Sequence, residues 1–150
     1  SSAAQCAPLR SAELVFEGDL VSVPPIFSAD GNLLICAGSS SVRIHDVSSG
    51  NLVALFRPDS FSTEASIVGV TLHQWSQHEV VVCTSTARVL SWNYKTGTIT
   101  ELADHGSSLR DEGRRQRVVH FEVSWSQACY YLGLALDSCD TVSIVQIPFQ

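Results

Sequence analysis

Five histidines, five cysteines and three tryptophans are the side chains in this 150-residue sequence best suited to chemistry. Zinc sites on one element use spacings such as H-x-x-x-H or H-E-x-x-H, which set two imidazoles on one face. His45, His73, His78, His105 and His120 show neither spacing; His73 and His78 stand five apart across a turn. The cysteines, at 6, 36, 83, 129 and 139, are odd in number and include no C-x-x-C pair. Cys36 and Cys83 lie inside the apolar runs Leu33–Ala37 and Val80–Cys83, where a thiol acts as a small hydrophobe. Reduced thiols of a nuclear or cytosolic protein are therefore expected. A hydrolase needs a nucleophile beside a base, often on a strained G-x-S-x-G turn, and a phosphate loop needs G-x-x-x-x-G-K. Neither segment occurs. No catalytic, cofactor-binding or metal-ligating residue is assigned, and no cofactor is expected. Trp75, Trp92 and Trp125 could stack nucleic-acid bases. However, Trp75-Ser76-Gln77 recurs as Trp125-Ser126-Gln127, so packing between repeated units is the expected role.

These residues sit in a chain that is 45% apolar and long enough to bury an ordinary core. Its formal net charge of −6 argues against a general phosphate-binding surface. The basic cluster Arg114, Arg115 and Arg117 follows Asp111 and Glu112, and reads as a solvated loop. No apolar run approaches the roughly 20 residues that span a bilayer. Ser1–Arg10 lacks the charged-then-apolar layout of a secretory signal. It also lacks an initiator Met, so processing or a fragment boundary is expected.

The elements that must position these side chains are written as a tandem repeat. Leu34–Gly38 aligns with Val81–Ser85, so that Cys36 meets Cys83, 47 positions later. Without a gap, Val42 then meets Val89, His45 meets Trp92, Asp46 meets Asn93, and Gly50 meets Gly97. Cys36 and Cys83 are thus expected at equivalent places in their sheets, with no helix across either stretch. Alternation such as Val42-x-Ile44, Val119-x-Phe121-x-Val123 and Val142-x-Ile144 has the two-residue period of strands. Turn clusters at Asp30-Gly31-Asn32, Ser48-Ser49-Gly50 and Lys95-Thr96-Gly97 separate them. The first unit reads as strands at 25–28, 33–37, 42–47 and 52–56, the second at 67–73, 80–84, 88–94 and 98–102. A third, weaker copy has strands at Tyr130–Leu136 and Val142–Ile147, and the chain ends where its fourth strand is due. Four strands per 40 to 50 residues is the signature of propeller blades. The expected organisation is a disordered tail over 1–12 and a partial β-propeller over 13–150. Its blades fall at about 13–57, 63–103 and 117–150, with a flexible loop over 103–117. Three blades cannot close a ring, since propellers typically need about 4 to 8.

Ile26-Phe27-Ser28-Ala29-Asp30-Gly31 resembles the F-S-x-D-G opening of WD repeats. Val42–Asp46 and Val89–Asn93 match the segment that carries W-D: Trp92 fits, Asp46 fits with His45 in place of tryptophan, and Asn93 replaces aspartate. Of the hydrogen-bonded set that locks regular WD blades, Ser85 and Trp92 are candidates, but the middle turn is Thr86-Ala87 instead of Asp-Gly. Gly18–Ser28, with its V-S-V-P-P-I-F-S stretch, followed by Leu33–Val47, looks like one WD-repeat subfamily. Its members are nucleolar subunits of the small-subunit processome that support ribosomal RNA transcription and pre-rRNA processing. The likeness spans about 13–102, and Glu13–Glu17 would be the strand that closes the ring. It implies an all-β, non-catalytic scaffold in the nucleolus, partnered by protein subunits of a large ribonucleoprotein assembly. It implies no membrane contact and no small-molecule substrate, with RNA contact indirect or confined to basic loops. A WD-repeat adaptor for ubiquitin ligation or vesicle coats would share the fold but lack the Pro-Pro-Ile-Phe-Ser opening. Arg43, His45 and Arg88 are the residues expected at blade surfaces or loop ends, where propellers bind partners.

Overall fold

The computed structural model describes residues 21, 23–57, 65–105, 110–111, 114–115, 117–126, 129–136 and 142–148. The expected tail over 1–12, the Glu13–Glu17 strand, Cys6 and Cys139 lie outside them. β1 (Ile26–Phe27), β2 (Leu33–Ala37), β3 (Val42–Asp46) and β4 (Leu52–Phe56) form one antiparallel sheet in chain order. β5 (Ile67–Leu72), β6 (Glu79–Thr84), β7 (Arg88–Asn93) and β8 (Ile99–Asp104) repeat the arrangement. After β9 (Arg110–Asp111) and β10 (Arg114–Arg115), a third sheet comprises β11 (Val118–Trp125), β12 (Cys129–Leu136) and β13 (Val142–Pro148). Among the described residues this last sheet has three strands, and no helix is present.

The segment 103–117, expected as a flexible loop, departs from that reading. β8 runs on to Asp104, which pairs with Arg88. Arg110–Asp111 then pairs with Arg114–Arg115. Both segments are charged, so a reading based on apolar alternation does not find them.

Packing follows from the middle sheet. Val80 to Thr84 are all buried, because both faces of β6 are covered. Val80, Val82, Leu90 and Trp92 pack against Ile35, Ala37, Val42, Ile44 and Phe56 of the first sheet. On the other face Val81, Cys83 and Val89 pack against Val118 and Phe121 of the third. Full burial of each such side chain is worth about 1.5–3 kcal/mol. Deep burial also pushes the Cys83 thiol up to about 12, which keeps it protonated and inert.

These faces correct the expected correspondence of Cys36 with Cys83. The blade-facing residue of β2 next to the turn is Ala37, paired with Val42. Its counterpart in β6 is Cys83, paired with Val89. Cys36 lies on the opposite face and corresponds to Val82. The second copy holds one extra residue between its two central strands, so β2 matches β6 at one offset and β3 matches β7 at one more. The turn absorbs the insertion through Ala87, a buried alanine in the left-handed region at φ 61°. Its amide donates to Thr84 O at 3.0 Å, and its methyl group joins the core behind β7. The repeat survives with a one-residue shift.

Neighbouring sheets are also joined through backbone. Ile67 N–H donates to Ser39 O at 2.8 Å, and Val118 N–H donates to Ser85 O at 2.9 Å. Ser39 and Ser85 follow Ala37 and Cys83 by the same two positions, so the first residue of each new sheet latches to the preceding central turn. Ser85 Oγ further accepts from Ser66 N–H at 3.0 Å, tying the turn to the linker. Trp92 packs on Phe56, with ring centroids 5.4 Å apart.

Two substitutions test this packing. A Cβ added at Gly69 would lie 2.5 Å from Phe121 Cδ1 and 3.0 Å from Phe121 Cβ. Gly69→Ala should therefore destabilise the second and third sheets by about 1–3 kcal/mol in urea unfolding, and Phe121→Leu should recover part of that loss. Trp92, 4% exposed, should cost about 3–5 kcal/mol when cut to alanine. A loss below about 1 kcal/mol would show that it does not fill the interface.

Candidate interaction surface

The first strands β1, β5 and β11 line a groove of about 700 Å³ from Val23 to Val123. It is apolar at Ile26, Ile67 and Val118, and carries an exposed His120–Glu122 pair at 3.1 Å on β11. A second groove, of about 630 Å³, lies where turns of the first two sheets meet. Ser28, Asp30, Asn32 and Asp46 come from the first sheet, and Gln77, His78, Tyr94 and Lys95 from the second.

The second groove is held by turn hydrogen bonds. Ser28 Oγ donates to Asp30 at 2.6 Å and Asn32 N–H to the same oxygen at 3.0 Å. The serine hydroxyl, then the amide, hold the Asp30 carboxyl below its ordinary range. Asp46 accepts from Ser48 Oγ at 2.6 Å, Ser49 N–H at 2.8 Å and Ser49 Oγ at 3.0 Å. Its carboxyl is lowered first by Ser48 and then by Ser49. In the second sheet Asn93 takes the equivalent place, accepting from Lys95 and Thr96 amides at 3.0 and 3.1 Å. Gly50 and Gly97 complete the two turns at φ 72° and 77°, a conformation that costs glycine little. On the second-sheet side of the groove Tyr94 Oη donates to Gln77 O at 2.8 Å. Burial raises the Tyr94 phenol, and the Asp30 carboxylate pushes it the same way.

Beside this groove, the turn after β5 carries an aromatic cluster. His73 stacks near Trp125 with centroids 4.5 Å apart, and Trp75 meets Trp125 edge-to-face at 5.8 Å. Trp75 lies beyond the β5 ladder, whereas Trp125 still pairs with Tyr130 in β11. The two Trp-Ser-Gln tripeptides are therefore not at equivalent positions, contrary to the expectation from their recurrence, although they bring their rings together between adjacent sheets. Trp75 N–H donates to His73 Nδ1 at 3.3 Å, and His73 Nε2 lies 3.9 Å from Glu79. Burial lowers the His73 pKa against the raising effect of Glu79.

Of the three residues expected at blade surfaces or loop ends, Arg88 and His45 bond within their own sheets. Arg88 binds Glu101 through Nε, at 3.1 Å, and through Nη2. His45 donates from Nδ1 to Gly50 O at 3.2 Å. Arg43 stands opposite Cys36 in the β2–β3 ladder. Cys36, Cys83 and Cys129 are buried free thiols. No three histidine, cysteine or acidic side chains converge among the described residues. Trp75, expected to pack between repeated units, does meet Trp125 of the next sheet, but it is half exposed at the turn surface.

Two meandering four-stranded sheets and a three-stranded one, packed face to face with their first strands along one groove, define blades of a β-propeller. The solved structures agree. The chain is similar to the C-terminal WD40 domain of Sif2, with a TM-score of 0.55 and 18% identity over 85% of this chain and 34% of that one. It is similar to the β-propeller domain of Cps50 (Swd1) from Myceliophteria thermophila, with a TM-score of 0.55 and 13% identity over 89% and 39%. The extracellular domain of a hybrid two component system from B. thetaiotaomicron gives a TM-score of 0.53 and 19% identity over 82% and 14%. This chain thus spans well under half of each. No family model and no curated protein matches it. At these identities the likeness establishes the fold alone, an all-β propeller.

The Asp46 turn gives a pH test. Its folded carboxyl is held below the unfolded value, so it stabilises above the ordinary value of about 3.9 and loses that contribution as pH falls through the folded value. Asp46→Asn should preserve the turn near neutral pH, as Asn93 does, and flatten the acid limb of a melting-temperature profile. Asp46→Ala should lower the melting midpoint at neutral pH as well.

Proposed function

We propose that this chain belongs to a non-catalytic scaffold of the nucleolar small-subunit processome, acting in ribosomal RNA transcription and pre-rRNA processing. The observation that carries the reading is the opening segment. Val21 bridges to Gly38, Ile26 and Phe27 pair with Ile35 and Leu34, and Val23 and Ile26 pack on the first core. The stretch whose wording resembles the processome subunits is thus a working part of a blade, with a reason to retain its residues. The partners are protein subunits docked on turns and grooves. RNA contact is indirect, because the chain is net negative and its grooves carry Asp30, Asp46 and Glu122.

Tagged full-length protein should concentrate in nucleoli and co-sediment with early pre-ribosomal particles, and its depletion should lower both new transcript and processed 18S precursor. Recovery instead with vesicle coats or a ubiquitin ligase would replace the processome with that assembly.

A further inference from the structure

The groove of about 630 Å³ between turns of the first two sheets is filled by neither sheet, and its two walls differ in charge. One wall carries Asp30 and Asp46, on turns that are stitched together. Asn32 N–H donates to Asp30 at 3.0 Å, and Val47 N–H donates to Asn32 O at 2.9 Å. Turn donors keep both carboxylates ionised near neutral pH. Their hydrogen bonds fall on one oxygen of each carboxylate, Oδ1. The other wall carries Tyr94 and Lys95. Tyr94 gives its hydroxyl proton to Gln77 O and keeps a lone pair for another donor. Asp30 lies near enough to raise the Tyr94 phenol, so the two walls share one field. Lys95 is the single lysine or arginine lining the groove, which leaves two carboxylates against one ammonium. An apolar contact lies beside them. Between β3 and β4 the register shifts at Val53: Ile44 pairs with Ala54, and His45 with Leu52. A bulge re-aims the residue it leaves unpaired, and Val53, 54% exposed, lines the groove.

This make-up selects the occupant. Uncompensated negative charge repels a phosphate backbone. Two carboxylates supply far fewer oxygens than the roughly six to eight that calcium takes. A side-chain cation on an apolar stem meets both the charge and Val53. Because the turns already use Oδ1 of each aspartate, neither offers the paired oxygens that a guanidinium fork matches. An ammonium, a compact charge with three rotatable donors, suits single oxygens from separate groups.

We propose that this groove receives a lysine from an extended segment of a partner protein, its ammonium at Asp30 and Asp46 and its stem along Val53. The site rests on the scaffold reading and supplies the chemistry of one of its contacts.

The test titrates full-length protein into a fluorescein-labelled peptide, Gly-Ser-Val-Lys-Val-Ser-Gly, read by polarisation at low ionic strength. Acetylating its lysine, which keeps the stem and removes the charge, should weaken binding about three- to ten-fold. Asp30→Asn and Asp46→Asn keep Oδ1 for the turns. Each should weaken the unmodified peptide by a similar factor, leave the acetylated one unchanged, and leave the melting midpoint at neutral pH unchanged. Lys95→Gln removes a like charge and should tighten the unmodified peptide. Should either Asn variant lower the midpoint, Lys95→Gln decides, and unchanged affinity in it overturns the site. Equal binding of the two peptides, absence of binding to wild type, tighter binding of an arginine version, or preference for a labelled oligouridine would also overturn it. Partner recovery separates this from the broader reading. If particles co-purify while both Asn variants leave peptide affinity untouched, the lysine site fails and the scaffold stands. If the peptide binds through the two aspartates but the protein enters no nucleolar particle, the processome assignment fails and the site stands.

Discussion

A propeller sheet has two apolar faces, and each must be covered by a neighbour before it is stable in water. The second sheet makes the constraint concrete. Val80 and Val82 of β6 point into one interface, Val81 and Cys83 into the other, and all four are fully buried. A strand in this position has no solvent face, so its sequence is a continuous apolar run without alternation. The outer strands answer to a weaker demand. In β4 only Phe56 is buried, while Leu52, Val53 and Leu55 are exposed. Sheet order can therefore be seen in the sequence as a fall in burial pressure from β2 and β3 to β4, and from β6 and β7 to β8.

Hydrophobic cover is not directional, and something else has to fix where one sheet meets the next. Two backbone latches do so, from Ile67 to Ser39 and from Val118 to Ser85. They satisfy amide and carbonyl groups that would otherwise end a strand unpaired at an interface. Because they use main-chain atoms, they are indifferent to side-chain identity. This explains how the chain dispenses with much of the regular WD signature. Ser85 spends its hydroxyl on the Ser66 amide, and Asn93 reproduces the turn that Asp46 builds in the first sheet. The amide oxygen is an adequate acceptor for two backbone N–H groups, so the aspartate can be lost without losing the turn.

The same indifference sets what could be read from sequence. Strands with strong patterns, Leu33–Ala37, Leu52–Phe56 and Tyr130–Leu136, stand within a residue of where alternation and turn residues put them. Register is harder. Matching Cys36 to Cys83 took identical residues as equivalent ones, and the inserted residue at the Thr86-Ala87 turn reverses the face of one relative to the other. A single insertion does this in any strand, because side chains alternate with period two. Only the burial of Ala37 and Cys83 toward successive neighbours reveals the shift, and burial against another sheet is not a local property. The pairing of Arg110–Asp111 with Arg114–Arg115 escaped for a related reason: its ladder is built from charged residues and carries no apolar period at all.

Candidate surface residues were legible in type, and Arg88 stands at the partly exposed start of its strand, where a loop end was expected. Arg43, His45 and Arg88 are polar groups on strands, and a polar group on a strand with a nearby partner is satisfied within the sheet, as Arg88 is by Glu101. Trp75 differs because its turn is longer than the one after β11. β5 ends its ladder with His73 N–H bonded to Glu79 O, leaving five intervening residues, whereas Ser126 N–H bonds Cys129 O across two. The longer loop lifts Trp75 clear of the strand ladder, and the tight one keeps Trp125 at the end of its strand, beneath it. Difference in loop length between adjacent blades, with the same Trp-Ser pair in both, is what leaves one tryptophan partly buried at the end of its strand and the other half exposed on the turn.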